Sequence, residues 1–177
     1  HMWHAAHAPS CLQALKTGKP YPIKAWIDRS GNKLAVLANG KEWVEAMDNL
    51  DLIVHMYMYP TSFSAYADIL LPTTEWLETN YTIPVCNTLI CRQAVTHLYE
   101  TMDESLIWSK LTKRLGELGH ESCAKAFDAE YMGLDLPYWN TMEELLDRQA
   151  ACVGMTWEDF KKVGMAETMP LDVWKHY

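Results

Sequence analysis

Residues 52–72, LIVHMYMYPTSFSAYADILLP, decide how the rest of the chain is read. LIVHMY is apolar without alternation, the pattern of a strand covered on both faces. Small and hydroxyl residues follow, then SFSAYA, predicted as a short helix, and DILLP, a further strand closed by its own proline. Upstream, Ile23, Ala25 and Ile27 share one face of a predicted strand that stops at Ser30-Gly31-Asn32. KEWVEAMDNLD, between these two strands, reads as a helix with Trp43, Val44 and Met47 on one side. A strand, helix and strand joined at this length predict a right-handed parallel crossover.

The fold class expected is α/β: a three-layer, mostly parallel sheet with helices on both faces, plus a helical C-terminal extension. In such sheets ligands bind in the crevice outside the carboxyl ends of the strands, where the segment after Met56 falls. Thr61, Ser62 and Ser64 offer hydroxyls and early-helix amides suited to an anion. The same residues also read as an ordinary strand-to-helix loop with an N-cap, and both readings stay open on spacing alone.

Other helices are expected at CLQALKTG, ended by Gly18, and at TMDESLIWSKLTKRLGELG. In the latter, Thr101 and Glu104 fit a capping box, Ile107, Leu111, Leu115 and Leu118 form a stripe, and Gly119 ends it. TMEELLDRQAAC and TWEDFKKVG are each opened by a threonine cap and an acidic first turn. AEYMGLDLPYWN reads as a packed loop. The leading His1-Met2 reads as a cloning remnant, and residues 1–9 as a tag remnant and disordered lead.

The 177 residues, 49% hydrophobic and 21% charged, have the composition of a globular protein. Eight tryptophans and nine tyrosines suit a large interface as well as a dense core. A net charge of -8 without a basic cluster is poorly suited to neutralising phosphates of DNA or RNA, so no nucleic-acid partner is expected. No apolar run reaches the roughly 20 residues of a membrane span, so direct membrane insertion is not expected either. The five cysteines form no CxxC pair and are expected to be free thiols, compatible with a cytoplasmic protein or one exported folded. The seven histidines are scattered without HExxH spacing, and there is no GxSxG, GxxxxGK[ST] or GxGxxG signature. Glu75 and Glu78 would share a helical face, which an exposed acidic first turn explains equally well.

Three blocks, TGKPYPIKAWIDRSGNKL (17–34), LDLIVHMYMYPTSFSAYADILLPTTEWLE (50–78) and AVTHLYETMDESLIWSKLTKRLG (94–116), resemble in order and spacing the third domain of the molybdopterin oxidoreductases, the dimethyl sulfoxide reductase family. The resemblance implies that residues 10–118 form an α/β domain binding the guanine nucleotide end of one molybdopterin guanine dinucleotide, with 119–177 a helical extension packed on it. It implies a parent enzyme, an oxidoreductase of the type used in anaerobic respiration, whose molybdenum or tungsten sits between two such nucleotides. The isolated stretch is expected to be inactive, to contribute no catalytic or metal-ligating residue, and to hold no cofactor. The implied partners are the remaining domains of the catalytic subunit and an iron-sulfur electron-transfer subunit.

Residue by residue, the resemblance matches Asn32 to the asparagine of the family's GxNP turn. Met56 and Tyr57 match the two positions after the buried strand that face the nucleotide, and Thr61 the first threonine of TxTA. Thr79 matches a polar position after WxE, and Glu104 an acidic residue before the long helix. Lys33 stands in place of the proline, Tyr57 of a usual aspartate, Phe63 of the second threonine and Tyr81 of a glycine. A carboxylate accepts two hydrogen bonds from a guanine edge, whereas a tyrosine offers one hydroxyl or a stacking face. The alternative is a non-catalytic α/β protein-interaction module.

Overall fold

In the computed structural model, which describes residues 7–29, 31–126 and 139–168, the three expected strands pair in parallel. β1 (Ala25–Arg29), β2 (Leu52–Tyr57) and β3 (Ile69–Pro72) form one sheet with β2 in the centre. The unbroken apolar run of LIVHMY has its cause here, since Ile53, Val54, His55 and Met56 are all buried although successive residues point to opposite faces.

Helices α1 (Ala8–Thr17), α2 (Lys33–Val36) and α3 (Gly40–Met47) accompany this sheet. Leu15, Trp43 and Ala46 pack with Trp26 in one cluster, and Met47, Ile53 and Phe63 pack with it in another. The Trp26 ring meets Trp43 at 5.5 Å and Phe63 at 5.1 Å, edge to face. α1 ends as expected on Gly18, left-handed at φ 68°. It starts at Ala8, inside the lead expected to be unstructured, because Pro9 falls in the first turn, where its missing N–H has no helical partner to lose.

SFSAYA forms a 3-10 turn, Phe63–Tyr66, rather than a longer helix. Asp68 stops it. Its carboxylate accepts the Ile53 N–H at 2.7 Å and its own N–H donates to the Ile53 carbonyl at 2.9 Å, which returns the chain to β2.

Contacts divide the chain into two units, His1–Thr73 and Thr74–Tyr177. The second unit holds an antiparallel sheet that the sequence reading did not foresee. β4 (Tyr81–Val85) and β5 (Thr88–Arg92) form a hairpin, and β6 (Met165–Glu167) pairs with β5. Leu89 of β5 shares a core with Leu146, Ala150, Trp157 and Phe160, so residues on both sides of position 118 bury the same surface. The hairpin turns at Cys86 with φ 53° in place of the usual Asn-Gly, and β4 carries Pro84, so neither common signal was present.

This unit also contains α4 (Glu104–Glu117), α5 (Glu121–Lys125), α6 (Met142–Ala151) and α7 (Trp157–Val163). Thr141 and Thr156 cap α6 and α7 by accepting the N–H groups of Glu144 and Asp159, as expected. The capping box of α4 is not formed. Asp103 caps that helix by accepting the Ser105 N–H, while the Thr101 hydroxyl serves Glu78 and the Leu98 carbonyl. A Cβ on Gly116 would lie 3.0 Å from the Ala124 Cα, so glycine permits the close approach of α4 and α5. Glu75 and Glu78 lie in a turn rather than a helix. Glu78 accepts the N–H groups of Glu75 and Leu98 and the Thr101 hydroxyl, which hold its carboxyl below the usual range. Of the segment AEYMGLDLPYWN, all but Trp139 and Asn140 lies outside the described residues.

Phe63, fully buried, anchors the 3-10 turn against Trp26 and Ile53. Phe63→Ala is expected to lower stability by about 3–5 kcal/mol in urea unfolding. Tyr66→Ala, at a side chain 45% exposed on the same turn, should change it by less than about 1 kcal/mol.

Candidate functional site at the carboxyl edge of the parallel sheet

The parallel register places Asp28 of β1 directly opposite His55 of β2. Both are 2% exposed. His55 Nε2 faces Asp28 Oδ2 at 3.7 Å, beyond hydrogen-bond distance, and neither atom has a hydrogen-bond partner among the described residues. Lys33 Nζ lies 3.9 Å from the other carboxylate oxygen. Burial pushes the Asp28 carboxyl above its usual range, and the neighbouring Lys33 and His55 offset only part of that effect.

The other imidazole nitrogen, Nδ1, meets Ser64 Oγ at 2.9 Å. Ser64 Oγ in turn accepts the Thr61 N–H at 2.8 Å. Above them opens a cleft of about 270 Å³ walled by Tyr57, Tyr59, Pro60, Leu70 and Pro72, with His55 and Ser64 also lining it. Tyr57 stacks on His55 with ring centroids 5.8 Å apart. The Tyr57 hydroxyl donates to the Tyr59 hydroxyl at 3.2 Å, which holds the Tyr57 phenol above its ordinary pKa.

Of the residues singled out in the sequence, Asn32, Tyr57 and Thr61 lie at this edge. Asn32 Oδ1 accepts the Ser62 hydroxyl proton at 2.8 Å, tying the loop after β1 to the loop after β2. Thr61 Oγ1 accepts the Phe63 N–H at 3.2 Å, so the threonine organises its own loop. Met56 is fully buried and does not line the cleft, because the strand pleat turns it away from Tyr57.

Thr79 and Glu104 belong to the second unit. The Thr79 hydroxyl donates to the Asp103 carboxylate at 2.9 Å, beside a polar cleft of about 350 Å³ that also takes in Glu78, Asn80 and His97. Glu104 follows Asp103 as the first residue of α4. Among the described residues no group of three or more His, Cys, Asp or Glu side chains is placed to hold a metal ion.

Sequence reasoning missed Asp28, His55 and Ser64 as a cluster. The available signal was Asp28 in one predicted strand and His55 in the apolar run of the next, at positions that a parallel register brings opposite.

No protein-family model matches the sequence. The chain is 29% identical over 163 residues to the acetylene hydratase of Syntrophotalea acetylenica, a match covering 89% of this chain and 20% of that protein. It is 32% identical over 112 residues to the thiosulfate reductase molybdopterin-containing subunit PhsA of Salmonella typhimurium, covering 60% of this chain and 15% of that one. The solved structure of acetylene hydratase from Pelobacter acetylenicus superposes with a TM-score of 0.72 at 26% identity, over 93% of this chain and 21% of that one. The chain is homologous to part of the molybdopterin oxidoreductases. It spans a fifth or less of the length of these two curated relatives.

Within this molybdopterin oxidoreductase homologue, the raised Asp28 pKa has a definite consequence for stability. The folded state holds the Asp28 proton more tightly than the unfolded chain does, so stability falls as pH rises from the ordinary aspartate value through the raised one. Asp28→Asn is therefore expected to raise the urea midpoint near neutral pH and to leave it unchanged below about pH 3, where the carboxyl is protonated in both states. A lower midpoint near neutral pH would show that pairing with Lys33 and His55 outweighs burial.

Proposed function

We propose that this chain is part of a molybdopterin-dependent catalytic subunit, and that the cleft after β2 receives the guanine nucleotide end of one molybdopterin guanine dinucleotide. The observation that carries this reading is the Asn32–Ser62 hydrogen bond, which brings the loops after two adjacent parallel strands together beside a cleft with aromatic walls. The residues present suit a nucleotide base. Tyr57 and Tyr59 offer ring faces, and the Tyr59 hydroxyl, having accepted from Tyr57, keeps its own proton for a ligand acceptor. Lys33, next to Asn32 in the chain and 3.9 Å from the Asp28 carboxylate, places positive charge near the end of β1.

The departures set the expected mode of binding. With no carboxylate among the described residues that line the cleft, a guanine edge would be held by stacking and single hydrogen bonds rather than by a paired acceptor. The Thr61 and Phe63 N–H groups are engaged within the loop, so hydroxyls would meet the phosphates. When bound, the cofactor supplies the metal at which the parent's oxygen-atom transfer, electron transfer or hydration takes place. This chain's contribution is to bind and orient one nucleotide. Trp76, Val95 and Tyr99, exposed by 62%, 76% and 92%, support the remaining domains of the catalytic subunit as its partners.

Half a site binds weakly. Guanosine diphosphate is expected to bind the chain in the millimolar range, about -4 kcal/mol, with amide shifts in a nuclear magnetic resonance titration confined to residues 55–64 and the Asn32 loop. Tyr57→Ala should remove them. Shifts spread over the second unit alone would overturn the assignment.

A further inference from the structure

The structure assigns to Ser64, His55 and Asp28 a second capacity, independent of the nucleotide reading: a base-activated serine that takes the acyl group of an activated ester bound in the cleft. Three observations converge on it. The hydroxyl of Ser64 lies 2.9 Å from His55 Nδ1, the opposite ring nitrogen faces a buried carboxylate oxygen, and both of those facing atoms lack a hydrogen-bond partner among the described residues. Nucleophile, base and base-orienting group in this order define the activated-hydroxyl arrangement by geometry rather than by sequence position.

With Asp28 ionised, its charge favours a proton on the ring nitrogen that faces it, which leaves Nδ1 to accept from Ser64. Ser64 Oγ already receives the Thr61 N–H at 2.8 Å, a bond that strengthens as the oxygen becomes an alkoxide. The 3.7 Å gap between Nε2 and Oδ2 is one that an imidazolium, once formed, draws closed, because catalytic contacts are often long before a ligand is bound. Burial excludes water from this pair and raises the attraction between imidazolium and carboxylate.

Ser64 is half-buried and lines the cleft, so its oxygen is reachable, and Met58, Pro60, Leu70 and Leu71 make the adjoining walls apolar. The group transferred is therefore a short apolar acyl group. In the step, Oγ forms a bond to the acyl carbon, the ester C–O bond breaks and the alcohol leaves. The Ser64 proton passes to His55 and on to the leaving oxygen. Water attack on the acyl-serine, with its proton taken by His55 in turn, releases the acid and restores the hydroxyl.

The test uses a fluorophosphonate, in which an Oγ–P bond replaces P–F and fluoride leaves with the serine proton by way of His55. Incubation of the full chain, followed by peptide mapping, is expected to place one phosphonyl group on Ser64, absent in Ser64→Ala. In Asp28→Asn, whose fold is checked by circular dichroism, the labelling rate should fall by about 100-fold or more, because the group that orients the base is lost. A purely structural aspartate would leave that rate unchanged. If Asp28→Asn does not fold, the wild-type map still decides, since an unlabelled Ser64 overturns the proposal. So does a labelling rate that Asp28→Asn leaves intact.

Discussion

Asp28 and His55 stand side by side because β1 and β2 run parallel in a register that makes them cross-strand partners, and much of the first unit is arranged around keeping that pair out of water. Trp26, two residues before Asp28 on the same face of the strand, packs against Phe63, and Phe63 meets the His55 ring edge to face at 5.2 Å. An unpaired buried polar group costs on the order of 1–3 kcal/mol. The network from Lys33 through Asp28 and His55 to Ser64 offsets part of that, and the pair's orientation fixes where the loops on either side can go. Shifting β1 by one residue would put Asp28 on the opposite face and bring Ile27 or Arg29 opposite His55.

The carboxyl edge follows from the same constraint. Ser64 can reach His55 only if the chain turns back immediately after β2, and the 3-10 turn and the Asp68 carboxylate accomplish that within a few residues. Tyr57, one pleat period beyond His55, then becomes a wall rather than a core residue. Asn32 closes the arrangement from the β1 side through Ser62. Constraint is concentrated in residues 56–72 because strand, turn and cleft wall are all made there from neighbouring residues.

Much of the first unit was legible in the sequence, because its signals were local and strong. LIVHMY has the pattern of a doubly covered strand, and the amphipathic KEWVEAM is long enough to cross back to a parallel neighbour. The threonine caps at Thr141 and Thr156 were legible for the same reason. The antiparallel hairpin was not, since Cys86-Asn87 carries no standard turn signature and Pro84 argues against a strand. Its partner β6 lies more than seventy positions away in sequence, and pairing at that separation leaves no local trace. At the carboxyl edge, Asn32, Tyr57 and Thr61 were singled out through a resemblance. Asp28 and His55, and their link to Ser64, were missed, because a buried polar pair becomes visible only once register is known.

Central to this account is the carboxyl edge of the β1–β2–β3 sheet as the place where a nucleotide binds. Photolabelling with 8-azidoguanosine diphosphate, followed by peptide sequencing, tests that directly. The account predicts crosslinks on residues 57–64 that unlabelled guanosine diphosphate suppresses. Crosslinks found only within residues 74–177, or insensitive to the competitor, would contradict it.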